Sequence, residues 1–143
     1  MIRQANEQDL KALARLEGRS FQNPWTIENI QQDLKVNPFS TILVDEEDGR
    51  IRAYLDLWIT FEKAQIARIA TDPEFRKQGL AKALIQKGIE MAQEQQAEEF
   101  SLDVRVSNQP AIALYESMGF IILHRSKNYY EGKEDGLLMA IGI

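Results

Sequence analysis

The chain has 143 residues, with 17 Lys+Arg against 22 Asp+Glu for a formal net charge of −5, no cysteine and one histidine, His124. These counts exclude a Cys nucleophile, a thiolate metal site, an iron–sulfur cluster, a disulfide and a multi-histidine metal centre. The acidic balance argues against direct nucleic-acid binding, and the missing cysteine and single histidine leave carboxylates, tyrosines, lysines, backbone and water as the acids and bases of an enzyme.

The length suits one domain over residues 1–143. Met1–Ala5 reads as a short strand, and Asn6 as the cap of a helix to about Gly18, with Leu10, Leu13, Ala14 and Glu17 at helical spacing. Phe21–Trp25 breaks the pattern. Thr26 caps a second helix to about Val36, which Asn37-Pro38 ends. Ser40–Val44 and Ile51–Ile59 are strands joined through Asp48-Gly49, a hairpin signal; the acidic run Asp45–Asp48 reads as a solvated turn. Ala64–Thr71 is a fourth strand, stopped by Asp72-Pro73. A long helix runs from about Gly79 to Gln95, and Phe100–Val106 is a fifth strand. Asn108–Met118 is a short helix with Pro110 in its first turn and Gly119 as its stop. Phe120–His124 and Leu137–Ile143 are the last strands. This order gives a mixed α/β fold with a largely antiparallel sheet. The longest apolar run, near Leu137–Ile143, falls far short of a membrane span, and the first residues lack a signal core, so a cytoplasmic protein without membrane contact is expected.

The stretch that carries chemistry runs from Ile69 to Lys82: a strand, a Pro-marked turn, the cations Arg76 and Lys77, Gly79 and a helix start with Lys82 in its first turn. Helix N-termini bind phosphate because their first N–H groups lack partners and sit at the positive end of the dipole. Neither a Walker loop nor a G-x-G-x-x-G fingerprint is present. On the residues alone, phosphate binding and an ordinary turn with solvated charges are both open.

Arg76-x-x-Gly79-x-Ala81 after a strand resembles the coenzyme A signature R/Q-x-x-G-x-G/A of the GNAT N-acetyltransferases. Asn108-x-x-Ala111-x-x-Leu114-Tyr115-Glu116-x-x-Gly119-Phe120 is similar to the family's second motif, in the family's order. Within the family the chain resembles the bacterial ribosomal-protein-alanine N-acetyltransferases over nearly its whole length. The resembling stretches include Phe21-x-x-Pro24-Trp25, Val104-Arg105-x-Ser107-Asn108 and Asn128-Tyr129-Tyr130. The resemblance implies the GNAT fold, a mixed, mostly antiparallel sheet of about seven strands with about four helices. It implies acetyl-CoA as co-substrate, with Ile69, Ala70 and Thr71 along its pantetheine arm. Lys77, Gln78, Gly79, Leu80, Ala81 and Lys82, with Arg76, would cradle its pyrophosphate, and Asn108 would contact it as well. The implied partner is the N-terminal peptide of a ribosomal protein, and the enzyme would act as a monomer or weak dimer.

Acetyl transfer to an amine needs a neutral amine, a stabilised oxyanion and a proton for the departing thiolate; it requires no metal. Backbone N–H groups near Ile69–Thr71 are the oxyanion donors that the resemblance implies. Tyr115, about two helical turns after Asn108 and on the same face, is the general acid, against the alternative of a packing tyrosine. Asp103 is the general base. The ribosomal-protein-alanine acetyltransferase type places a glutamate there, and Asp is one methylene shorter, which favours a water relay; the alternative is a structural carboxylate pairing Arg105 or a loop. Strand alternation sets Asp103 on the face of Ser101 and Arg105, opposite Leu102, Val104 and Val106. Deprotonation at pH 7 costs about 1.2 kcal/mol for an α-amine and about 4.6 kcal/mol for a lysine, which favours an N-terminal acceptor. Trp25, Tyr129 and Tyr130 would line the acceptor groove, against simple packing roles. Two further readings stand beside N-terminal acetylation: the same fold acting on a small-molecule amine, and a non-catalytic coenzyme A-binding module.

Overall fold

The computed structural model describes all residues, 1–143. Strand β1 (Ile2–Gln4) leads through a 3-10 turn (Glu7–Asp9) into α1 (Leu10–Ser20). Helix α2 (Ile27–Gln31) continues as a π-helical turn (Gln32–Val36). Strands β2 (Ser40–Glu47), β3 (Arg50–Thr60) and β4 (Lys63–Thr71) form a meander. A 3-10 turn (Pro73–Phe75), α3 (Leu80–Glu94), β5 (Glu99–Arg105), α4 (Gln109–Ser117), β6 (Ile121–Tyr130) and β7 (Glu134–Gly142) complete the chain. The seven strands form one sheet in the order β1-β2-β3-β4-β5-β7-β6, antiparallel except for the β4–β5 pair. With four α-helices on it, this is the expected mixed, mostly antiparallel GNAT architecture. No helix is long and apolar enough to cross a membrane.

Alternation along β3 divides the core. Leu55 and Leu57 point to one face and pack with Leu84 and Ile85 of α3, Phe100 and Leu102 of β5 and Tyr115 of α4. Tyr54 points to the other and packs with Leu13 and Leu16 of α1, Ile30 of α2, and Ile42, Val44 and Ala70. Each fully buried aliphatic or aromatic side chain contributes roughly 1.5–3 kcal/mol. Helix α3 lies close on the sheet because Gly88 faces it: a Cβ there would stand 3.1 Å from Leu55 Cδ2.

The β4–β5 pair positions everything that follows. It holds only over Lys63–Gln65 against Glu99–Ser101. The β3–β4 register then jumps, with Leu57 opposite Ile66 but Asp56 opposite Arg68, so Ala67 is an extra residue in β4. A bulge bends its strand and increases the local twist, and here β4 turns away from β5. The edge of β4 beyond the bulge has no strand partner on that side, and a cleft opens between the two strands.

Several boundaries differ from the sequence reading. Asn6 caps the 3-10 turn, through its bond from the Gln8 N–H, and α1 runs on to Ser20. The last two strands are longer than their apolar cores, running to Tyr130 and from Glu134, because β6 is an edge strand with little burial on either face. Its polar Arg125–Asn128 stretch therefore shows no hydrophobic alternation. Asp45 is not part of a solvated turn. It is a buried β2 residue paired with Arg52 at 2.7 Å, and only Asp48-Gly49 forms the turn.

Candidate active site

A cavity of about 870 Å³ fills the cleft. Its floor is β4 from Gln65 to Ile69 and β5 from Leu102 to Arg105, and Tyr115 and Asn108 enter from α4 and its cap. One wall is the α1–α2 loop, including Phe21, Asn23 and Trp25; the other is the end of β6, with Tyr129, Tyr130 and Glu131. Asp103, Tyr115, Asn108, Ile69, Trp25, Tyr129 and Tyr130 thus share one cavity, although they are scattered over the sequence.

Asp103 sits on β5 opposite Leu138 of β7, while its neighbours Leu102 and Val104 are buried in the core. Its carboxyl has no cationic partner. Arg105, the pairing alternative, is drawn off by Glu131 at 3.0 Å and Glu134 at 3.3 Å. The one hydrogen bond to Asp103 is long, from the Tyr129 hydroxyl at 3.5 Å. Burial therefore dominates and raises the Asp103 pKa above the ordinary carboxylate value, with the Tyr129 bond working against it. A carboxylate so placed is a better proton acceptor than one held by an arginine.

Tyr115 is 5% exposed, and its ring packs on Phe120 with centroids 5.9 Å apart. Burial pushes its pKa up to about 12, so the phenol keeps its proton at neutral pH. Its hydroxyl makes no hydrogen bond within the chain while the residue lines the cavity, as a proton donor awaiting a partner must. Asn108 caps α4, its Oδ1 accepting from the Ala111 N–H at 3.3 Å, so it has a structural duty as well as its place in the cavity.

The Arg76–Lys82 stretch lies outside this cavity, at the head of α3. Gly79 adopts the left-handed conformation (φ 77°) as the N-cap, and no side chain caps the helix. No backbone N–H from Arg76 to Lys82 has a partner within the chain; the first carbonyl–amide bond here runs from the Ala83 N–H to Gly79. Arg76, Lys77 and Lys82 are exposed and enter no ion pair, so free donors and uncompensated positive charge coincide, as a phosphate group requires. The preceding turn is fixed by Asp72, which accepts from the Glu74 N–H at 2.9 Å and from Arg19 through two bonds of 3.1 Å. Between cavity and cradle, Ile69 packs against the α3 side of the core and Ala70 against the α1 side, with Thr71 next in the strand.

Tyr129 and Tyr130 are aimed by an irregularity. The β6–β7 register runs from Ser126–Gly136 to Tyr130–Glu134, so β6 carries extra residues there, and Asn128 is left-handed (φ 52°). Gly136 makes the room: a Cβ on it would lie 2.9 Å from Tyr129 and 3.0 Å from Tyr130. The rings meet edge to face with centroids 5.0 Å apart.

Sequence reading missed the polar network behind the α1–α2 loop. Glu17 reads as one more position on the buried stripe of α1, and no local signal joins it to Arg68 and Tyr54. It also missed Trp58, whose indole N–H donates to Asp33 at 2.9 Å at the edge of the cavity. His124 is exposed on β6 and does not line the cavity.

Comparison with known proteins bears on what this cavity does. The model of the Acetyltransferase (GNAT) family matches residues 10–120. A Bacillus subtilis protein described as a putative ribosomal-protein-bS18-alanine N-acetyltransferase is 38% identical over 143 residues, covering 99% of this chain and 95% of its own. The ribosomal-protein-bS18-alanine N-acetyltransferase of Escherichia coli K12 is 32% identical over 138 residues, covering 94% of this chain and 92% of its own. The crystal structure of the ribosomal-protein-alanine N-acetyltransferase from Escherichia coli superposes with a TM-score of 0.92 at 30% identity, covering 100% of this chain and 93% of the other.

Proposed function

Because this chain belongs to the GNAT family of acetyltransferases, we propose that it carries acetyl from acetyl-CoA to the N-terminal α-amino group of a protein, the N-terminal alanine of a ribosomal protein. The observation that carries the reading is the meeting of Asp103 and Tyr115 in one cavity at the β4–β5 cleft, with Asp103 free of any cation. The relatives named for ribosomal-protein-alanine acetylation match nearly end to end and supply the acceptor class.

Acetyl-CoA is the donor substrate. Its pyrophosphate rests on the free N–H groups and cations of Arg76, Lys77, Gln78, Gly79, Leu80, Ala81 and Lys82. Its pantetheine arm follows Ile69–Thr71 along the open edge of β4 towards Asn108, and its thioester reaches the cavity near Tyr115. The acceptor's extended N-terminus enters between Trp25 and the Tyr129–Tyr130 pair. Asp103 accepts a proton from the amine, through one water where the shorter side chain falls short. The amine nitrogen bonds to the acetyl carbon, and backbone N–H groups at the splayed edge of β4 hold the oxyanion. The intermediate collapses, the C–S bond breaks and Tyr115 gives its proton to the thiolate, while the nitrogen loses its second proton through water and that proton restores the phenol. The enzyme works as one domain over residues 1–143, in the cytoplasm, as a monomer or weak dimer.

The test is incubation with acetyl-CoA and a short peptide beginning Ala-Arg, with free coenzyme A and peptide mass as readouts. One acetyl on the peptide's α-amine is the expected result. Turnover of polyamines but not of the peptide would sink the N-terminal reading. Coenzyme A binding without turnover at any pH would leave only a binding module.

A further inference from the structure

We propose that Glu17, which the mechanism above does not use, builds the acceptor side of the cavity: it positions the α1–α2 loop and cancels the charge of Arg68 in the wall. The proposal rests on the acetyltransferase reading for its substrate but not for its geometry. Glu17 lies on α1 with 0% exposure. Its Oε1 accepts the Trp25 backbone N–H at 2.8 Å and Arg68 Nη2 at 2.8 Å; its Oε2 accepts Arg68 Nε at 3.0 Å and the Tyr54 hydroxyl. One carboxylate thereby joins the α1–α2 loop to β3 and β4. Through Arg68 its hold extends further. The guanidinium stacks 3.7 Å from the Phe21 ring centroid and 5.2 Å from that of Trp25, and Nη2 reaches the Asn23 carbonyl at 3.3 Å.

A leucine at position 17 would pack α1 on the sheet without the desolvation cost of a buried carboxylate. It could neither hold the Trp25 amide nor pin a guanidinium against the Phe21 and Trp25 rings in a cavity wall. Arg68 itself lines the cavity, where an unbalanced cation would repel an acceptor that arrives as an ammonium ion. The other cation in the lining, Arg105, is balanced in the same way by Glu131 and Glu134. The two pairs leave Asp103 as the carboxyl without a cation among these lining residues.

Steady-state kinetics with acetyl-CoA and the Ala-Arg peptide test the charge. In Glu17→Gln, which keeps the shape, the peptide KM should rise about tenfold at low salt and fall back as salt screens the excess positive charge. The acetyl-CoA KM should stay unchanged and kcat within about threefold. Adding Arg68→Met to Glu17→Gln should recover most of the peptide KM. Hydrogen exchange, which needs no substrate, tests the positioning. Exchange at residues 21–25 should quicken in Glu17→Gln, at unchanged protection of β3. Arg68→Met, which leaves Glu17 its bonds from Tyr54 and Trp25, should quicken exchange at Phe21–Asn23 and gives a second, independent reading. An unchanged peptide KM in Glu17→Gln, or an equal, salt-independent rise for both substrates, overturns the charge role. Unchanged exchange over 21–25 in both variants overturns the positioning role. Failure of the unaltered protein to acetylate the peptide refutes the acceptor reading instead, and the exchange data then decide Glu17 alone.

Discussion

Asp103→Ala separates chemistry from architecture at this site. The side chain has no ion pair and one 3.5 Å bond to a Tyr129 that is 53% exposed, so its removal disturbs little structure. Because burial raises its pKa, the native fold holds its proton more tightly than the unfolded chain. Stability therefore falls as pH rises from the unfolded to the folded pKa, and the alanine variant should melt no lower than the parent at pH 7. The kinetic effect follows from the amine. An α-amine of pKa roughly 7.7–8.0 is about one-eighth neutral at pH 7 and almost wholly neutral at pH 9. An enzyme without its base depends on that fraction. We expect kcat/KM to drop about 10- to 100-fold at pH 7, at or just below the bottom of the roughly 100- to 10,000-fold that general acid–base catalysis supplies, because part of the amine is already neutral. From pH 7 to pH 9 the variant should recover about sevenfold, while the parent, limited by Asp103 itself, stays flat between the Asp103 and amine pKa values. Thiol release from acetyl-CoA at saturating and limiting peptide, across pH 6–9.5, reads this directly. A loss equal at every pH, accompanied by a lower melting temperature, would assign Asp103 to structure and refute the base assignment. Asp103→Glu should keep or raise the rate.

Tyr115→Phe removes a hydroxyl without a hydrogen bond in the chain, so stability should hold while kcat falls about 10- to 100-fold at unchanged acetyl-CoA affinity. With its pKa pushed up to about 12, Tyr115 keeps its proton from pH 8 to 10, so the parent should show no alkaline limb there that the Phe variant lacks; an unchanged kcat in the Phe variant would contradict the acid role. Gly79→Ala puts a Cβ at φ 77°, with nothing within 4 Å to strike. The cost is backbone strain of about 1–2 kcal/mol, and acetyl-CoA KM should rise while peptide KM does not. Asp56, fully buried beside Asp33 with its Oδ2 unpartnered, has its pKa pushed up to about 8 by burial and by Asp33. The parent should therefore lose a few kcal/mol of stability as pH rises from about 4 to about 8, and Asp56→Asn should flatten that slope in chemical denaturation.

Much of the geometry of the proposed donor end was legible in the sequence, because it is local. A strand, Asp72-Pro73, two cations, Gly79 and a helix lie within one continuous stretch, and the missing amide partners follow from any helix start without a capping side chain. Tyr115 was legible for a similar reason: two helical turns separate it from Asn108, and a helix fixes that relation without help from the rest of the fold. The facing of Asp103 followed from strand alternation alone. The length of β6 was not legible, because an edge strand exposed on both faces carries no period-two signal.

The proposed acceptor end belongs to tertiary structure. Whether Asp103 pairs with Arg105 or stands alone is decided by Glu131 and Glu134, which only the β6–β7 hairpin brings to Arg105. The Ala67 bulge that parts β4 from β5 is a matter of register between strands, and no single strand encodes it. Glu17, Tyr54 and Arg68 come from three elements, and each reads locally as an ordinary helix or strand residue. The sequence by itself determined which groups can do acid–base and anion-binding work, since residue types and local geometry are intrinsic to the chain. Which of them stand free, which are neutralised and which share a cavity was decided by contacts between residues far apart in sequence, where burial and ion pairing set each group's charge.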